Sequence, residues 1–292
     1  MMRLYRDFTT EDELFEEYNP RFLVPETSEL LAEYLSESER VRTMLKNQAG
    51  IAFGPTLAEV VDIFPAAESG SPVHVFIHGG YWHSFSSRAH AFVAEALVAN
   101  GVTVVLVNYA LCPQVTIEEI VRQCRAAVAW TFRNITEYGG DPARITVSGH
   151  SAGGHLTGML LATPWVADYG LPADVIKGAL PISGLFDLAP FPYSWLQPKL
   201  QITWDQVRRC SPLSNLPPHP VPTIVAVGGE ESAEFQRQSR DYVDRLREHG
   251  VPATFLPVPD RNHFNVVHDF RGAGGPLCKT LLELIQTDAI PD

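Results

Sequence analysis

Cysteine is scarce in this chain. Its four residues, Cys112, Cys124, Cys210 and Cys278, include no pair at CxxC spacing. Such a set signals neither a zinc site nor a disulfide framework, and the four read as reduced thiols. Basic residues are also few. Lys and Arg total 22 against 34 Asp and Glu, a net charge of −12 with no dense basic run, which argues against nucleic acid as a partner. No apolar stretch approaches the roughly 20 residues that a membrane span needs. The opening MMRLYRDFTTEDELFEEYNP carries charge where a secretory leader needs apolar residues, so a cytoplasmic protein without a membrane partner is expected. Its acidic residues Glu11, Asp12, Glu13, Glu16 and Glu17 fit a solvated helical face rather than a metal site.

What is present is an ordinary globular composition, 45% hydrophobic and 19% charged, enough for one large core and a deep site. One domain spanning residues 1–292 is expected; a monomer and a homo-oligomer both suit this composition. Thr10 and Glu13 form a capping-box pattern that starts a helix, and a second helix is predicted over 28–46. These make residues 1–50 a helical N-terminal extension. Beyond Glu59, short apolar runs alternate with helical segments, the signature of βαβ units and a mostly parallel sheet. The runs are VVDIF (60–64), VHVFI (73–77), VTVVLV (102–107), RITVS (144–148), GALPI (178–182), TIVAV (223–227) and ATFLP (253–257). Helices are predicted over 88–100, 117–138, 154–161, 234–250 and 277–287, with Gly101, Gly139 and Gly250 as C-terminal stops. Residues 188–219, rich in Pro, Trp and Leu, break the alternation and read as an insertion, either a pocket wall or a packed connection.

Gly149-His150-Ser151-Ala152-Gly153 follows the run RITVS and precedes a helix-compatible segment. GxSxG alone recurs by accident roughly one time in ten at average glycine usage, so the strand, turn and helix around it carry the inference. That context is the nucleophile elbow of an α/β-hydrolase fold, with Ser151 as nucleophile. A serine hydroxyl is weakly nucleophilic at neutral pH, so it needs a base, and acyl transfer also needs donors for the developing oxyanion. His78-Gly79-Gly80-Tyr81-Trp82 follows VHVFI, where Gly79 and Gly80 have no Cβ to keep a substrate oxygen from their N–H groups. The N–H of Ala152 would complete the hole. His78, His83 and His90 lack an accompanying carboxylate or cysteine at ligand spacing, so no metal is assigned, and no cofactor is implied.

In this fold the chain order is nucleophile, acid, histidine. His263, shortly after ATFLP, fits the base better than His155, His219, His249 or His268. The acid is expected after TIVAV, where Glu230, Glu231 and Glu234 compete and spacing barely separates the first two.

HGGYW, GHSAGG, SGLFDL at 183–188, EESAEFQRQS at 230–239 and DRNHF at 260–264 together resemble the kynurenine formamidase (arylformamidase) family, from the N-terminal EEYNPR through the last strand. The resemblance implies an aspartate before a Ser-Pro-Glu-Phe-like stretch as the triad acid. Here that position falls on Glu231, ahead of Ser232-Ala233-Glu234-Phe235. It further implies a small-molecule acyl substrate, N-formylkynurenine, hydrolysed to kynurenine and formate. Tyr81 and Trp82 are then candidates to stack on its ring, or else are core. Two other readings share the same residues: a carboxylesterase acting on small acyl or aryl esters, and a non-catalytic binding module.

Overall fold

The computed structural model describes residues 3–287. Its centre is an eight-stranded sheet of β1 (Gln48–Ala52), β2 (Val60–Phe64), β3 (Ser71–Ile77), β4 (Thr103–Val107), β5 (Gly140–His150), β6 (Ile176–Ile182), β7 (Thr223–Gly228) and β8 (Ala253–Val258). The spatial order is β1-β2-β4-β3-β5-β6-β7-β8. β2 runs antiparallel to β1 and β4, and the other pairs are parallel. All seven apolar runs form strands. β1 is the addition: QAGIA is largely exposed at the sheet edge, so it carries no apolar run that periodicity could detect.

Every residue of β4 is buried, as an interior strand covered on both faces requires. Alternation along β3 divides the core. Val73, Val75 and Ile77 join the helices Ile117–Asn134 and Ala152–Leu161 in one cluster, while Phe76 joins Phe92, Phe270 and Leu281 in another. Buried His74 bridges strands, with Nδ1 2.9 Å from Thr146 Oγ1 and Nε2 2.7 Å from Ser148 Oγ on β5.

Helix boundaries follow local chemistry. Thr116 accepts from the Glu119 N–H to cap Ile117–Asn134. The predicted helix over 117–138 ends in a 3₁₀ turn, Ile135–Tyr138, which closes on Gly139 at φ 84°. The segment predicted as helix over 88–100 opens as a 3₁₀ stretch, Ser87–Val93, kinked at His90, and becomes α-helical only over Ala94–Ala99. The Thr10–Glu13 capping box is present on Glu11–Tyr18, and the next long helix is Thr27–Met44. Between them Asn19 caps the short helix Pro20–Leu23 by accepting from the Arg21 N–H.

This N-terminal segment is anchored on the helix Ala233–Glu248. The Tyr18 hydroxyl donates to Glu234 at 2.6 Å and accepts from Gln238 Nε2 at 2.8 Å. Residues 188–219 form the 3₁₀ turn Phe191–Tyr193 and the helices Gln197–Leu200 and Trp204–Cys210, and Phe191, Leu200 and Val207 pack into the main core. The four cysteines are buried and free. Among the described residues, no helix is long and apolar enough to cross a membrane.

Candidate active site

Ser151 stands between β5 and the helix Ala152–Leu161, at φ 58° and ψ −117°. A non-glycine residue in such a conformation carries strain of order 1–3 kcal/mol, and its surroundings must enforce it. The Ser151 N–H donates to Ile182 O at 2.8 Å, and Ser151 O accepts from the His155 N–H at 3.0 Å. The turn tolerates no side chain beside it: a Cβ on Gly153 would lie 2.0 Å from Ile77 O. A Cβ on Gly79 would lie 2.7 Å from His150 O and 3.1 Å from Ser151 Cβ. The HGGYW loop is therefore pressed directly against the turn.

Two hydrogen bonds orient that loop. The Tyr109 hydroxyl donates to His78 O at 2.8 Å, and His78 Nδ1–H donates to Gly79 O at 2.8 Å. In a trans peptide the N–H points away from the C=O, so the N–H groups of Gly79 and Gly80 turn in the opposite direction. Among the described residues no protein acceptor takes either of them, or the N–H of Ala152. Three backbone donors beside Ser151 thus remain available.

His263 and Glu231 come from the loops after β8 and β7. His263 Nδ1–H donates to Glu231 Oε2 at 2.6 Å, with the two side chains 6% and 1% exposed. The other carboxylate oxygen accepts from Ser183 Oγ at 2.5 Å and from the Gly228 N–H at 2.8 Å. A buried carboxylate is tolerable only when its oxygens are satisfied in this way. Glu230 is exposed, and Glu234 is engaged by Tyr18 and Arg237, so Glu231 alone of the three meets His263.

The imidazole is further positioned by its own loop, where Asn262 Oδ1 accepts from the N–H groups of Phe264 and Asn265, each at 2.9 Å. Tyr34, from the N-terminal helix, donates to Phe264 O. The Ser151 hydroxyl makes no side-chain hydrogen bond among the described residues.

Above Ser151 opens a cavity of about 360 Å³. Its aromatic lining comes from Tyr34, Tyr81, Phe85, Trp195 and Phe264, with Gly79, Gly80, Ser151 and His263 also in its wall. Residues 188–219 contribute Trp195 and Leu196, and the N-terminal segment contributes Asn19 through Arg21, Leu31 and Tyr34. His150 lines it too. Burial, and then the neighbouring His263 and His90 imidazoles, hold His150 well below its ordinary pKa, which keeps it neutral. Burial likewise lowers His90 to about 4.

Tyr81 reaches the cavity, while its hydroxyl donates to Tyr18 O. Trp82 does not line it: of its two readings, substrate contact or core, its position is that of a core residue. It is 0% exposed, and its indole N–H donates to His155 Nδ1 at 3.1 Å. The αL backbone at Trp82, φ 58°, turns the ring into the core against Phe191.

Sequence reasoning passed over Ser183, Asn262, Tyr34, Tyr109 and His150. Ser183, Asn262 and His150 lie within SGLFDL, DRNHF and GHSAGG; Tyr34 and Tyr109 act through contacts that no local pattern displays.

The strand order and the strained turn at Ser151 define an α/β hydrolase, and a family model described as alpha/beta hydrolase fold matches residues 74–267. The chain is 31% identical over 256 residues to the kynurenine formamidase of Salmo salar, covering 85% of each. It is 30% identical over 289 residues to that of Danio rerio, covering 94% of this chain and 97% of the relative. It belongs to the kynurenine formamidase family of α/β hydrolases. Among solved structures, one from Silicibacter sp. TM1040 described as a candidate thioesterase superposes with a TM-score of 0.82 at 26% identity, over 91% of this chain and 97% of that one.

Proposed function

We propose that this hydrolase works by a Ser151-His263-Glu231 triad and cleaves N-formylkynurenine or a related aryl formamide. The observation that carries the reading is the convergence of Ser151, His263 and the Gly79 and Gly80 loop on one cavity walled by aromatic rings. Such a wall suits an aryl leaving group.

The chemistry follows from the donors at hand. His263 Nε2 takes the Ser151 proton as Oγ attacks the formyl carbon, and Glu231 stabilises the imidazolium that forms. The carbonyl oxygen becomes an oxyanion, held by the N–H groups of Gly79, Gly80 and Ala152. Collapse breaks the C–N bond, and His263 returns its proton to the leaving aniline nitrogen. Water, giving a proton to His263, then attacks the formyl ester, and as the ester C–O bond breaks His263 returns that proton to Ser151 Oγ, releasing formic acid, which ionises to formate. The Ser151 Oγ to His263 Nε2 hydrogen bond that the serine attack requires belongs to the Michaelis complex, where catalytic contacts tighten.

Family membership supports the formamide reading. A carboxylesterase acting on small acyl or aryl esters would use the same groups. Steady-state comparison of N-formyl-L-kynurenine with p-nitrophenyl acetate separates the two. The formamidase reading expects the higher kcat/KM for the formamide, and negligible formamide turnover beside ready ester cleavage would reverse the assignment.

A further inference from the structure

Arg21 is the only lining residue of the cavity with a fixed charge; among the described residues no Asp, Glu or Lys lines it. In a chain of net charge −12, an acid-free cavity wall has a local sign opposite to that of the molecule. Arg21 is also unspent. Its guanidinium makes no hydrogen bond or ion pair among the described residues, whereas Arg40, Arg122 and Arg237 are each tied to carboxylates.

Beside it on the cavity, Asn19 uses its side-chain oxygen to accept from the Arg21 N–H at 3.2 Å, which leaves the amide NH₂ as a free donor. A second cation, Lys199, lies near the wall without lining it. His83, also on the wall, is held below its ordinary pKa first by burial and then by Lys199 and Arg21.

An unpaired guanidinium and an unpaired amide donor on the wall of one cavity match a carboxylate, which accepts charge-assisted hydrogen bonds from both. We propose that Arg21, with Asn19, forms a carboxylate subsite at the roof of the cavity and selects acyl substrates whose leaving group bears an anionic arm. The proposal rests on the hydrolase reading of Ser151 and adds a specificity element that acts on binding. Arg21 touches the remote end of the substrate, so it governs KM more than kcat.

The test compares N-formyl-L-kynurenine with its α-carboxamide, which keeps the size and removes the charge, in the full-length enzyme and in Arg21→Gln and Arg21→Lys. The wild type should favour the carboxylate by about tenfold or more in kcat/KM. Arg21→Gln should abolish that preference through KM, and Arg21→Lys should keep part of it. Arg21 is exposed, so neither variant should disturb folding. Equal use of the two formamides by the wild type, or an unchanged preference in Arg21→Gln, overturns the subsite while leaving formamidase activity standing. If neither formamide is hydrolysed, the formamidase reading falls and the subsite is judged on 4-acetoxybenzoate against 4-acetoxybenzamide. There the same loss of preference in Arg21→Gln supports it, and no preference rejects it.

Discussion

The floor of the cavity and its roof are made of different material. The floor is backbone: the Ser151 turn and the Gly79 and Gly80 peptides, locked where a single Cβ would collide with Ile77 O or His150 O. The roof is side chain: Tyr34 and Arg21 from the N-terminal helices and Trp195 from the segment after β6, tethered by individual hydrogen bonds such as Tyr81 to Tyr18. On the proposed reading, the geometry for chemistry resides in backbone that accepts no added side chain at Gly153 or Gly79. Selectivity, on the same reading, resides in the side chains of the roof.

This contrast orders the expected effects. Glu231→Gln, beneath the floor, removes the charge that holds His263 and should lower kcat by roughly 10³–10⁴-fold with little change in KM, as measured by steady-state kinetics. Gly153→Ala places a methyl group against Ile77 O and should destabilise the fold by about 3 kcal/mol or more in urea titration.

Acid should attack the floor as well. Burial lowers His74 and His78 to about 3 and His155 to about 4, so these imidazoles stay neutral in the fold while the unfolded chain protonates them near 6.5. The unfolded state then binds more protons as pH falls. Stability should be full above about pH 7 and decline from pH 6.5 toward 4, by up to about 2 kcal/mol per site at pH 5. Thermal melts across that range would show the slope. In the roof, Tyr81→Phe loses one hydrogen bond, about 1 kcal/mol of stability, with kcat nearly unchanged. A kcat loss as large as that of Glu231→Gln would mean that the roof, too, takes part in the chemistry.

The same contrast explains what could be read from the chain alone. Ser151, Gly79, Gly80 and His263 were legible because each sits at a fixed step after a strand, and strands announce themselves as apolar runs. Residue spacing left Glu230 and Glu231 undecided; resemblance favoured Glu231, and the hydrogen bond to His263 agrees. The sequence left Tyr81 and Trp82 open between cavity and core because adjacent residues with positive φ send Tyr81 toward the cavity and Trp82 into the core, a divergence that no hydropathy pattern encodes. Arg21 and Tyr34 lie more than 100 residues from Ser151 in the chain, and only tertiary packing brings them over it. β1 was invisible for a simpler reason, since an exposed edge strand need not be apolar.

Covalent labelling asks directly whether Ser151 is the nucleophile. A fluorophosphonate should add a single adduct to the intact protein, mapped by peptide mass spectrometry to Ser151, and Ser151→Ala should take up none while retaining its melting temperature. An adduct on another residue, or undiminished labelling and turnover in Ser151→Ala, would exclude Ser151 as the nucleophile.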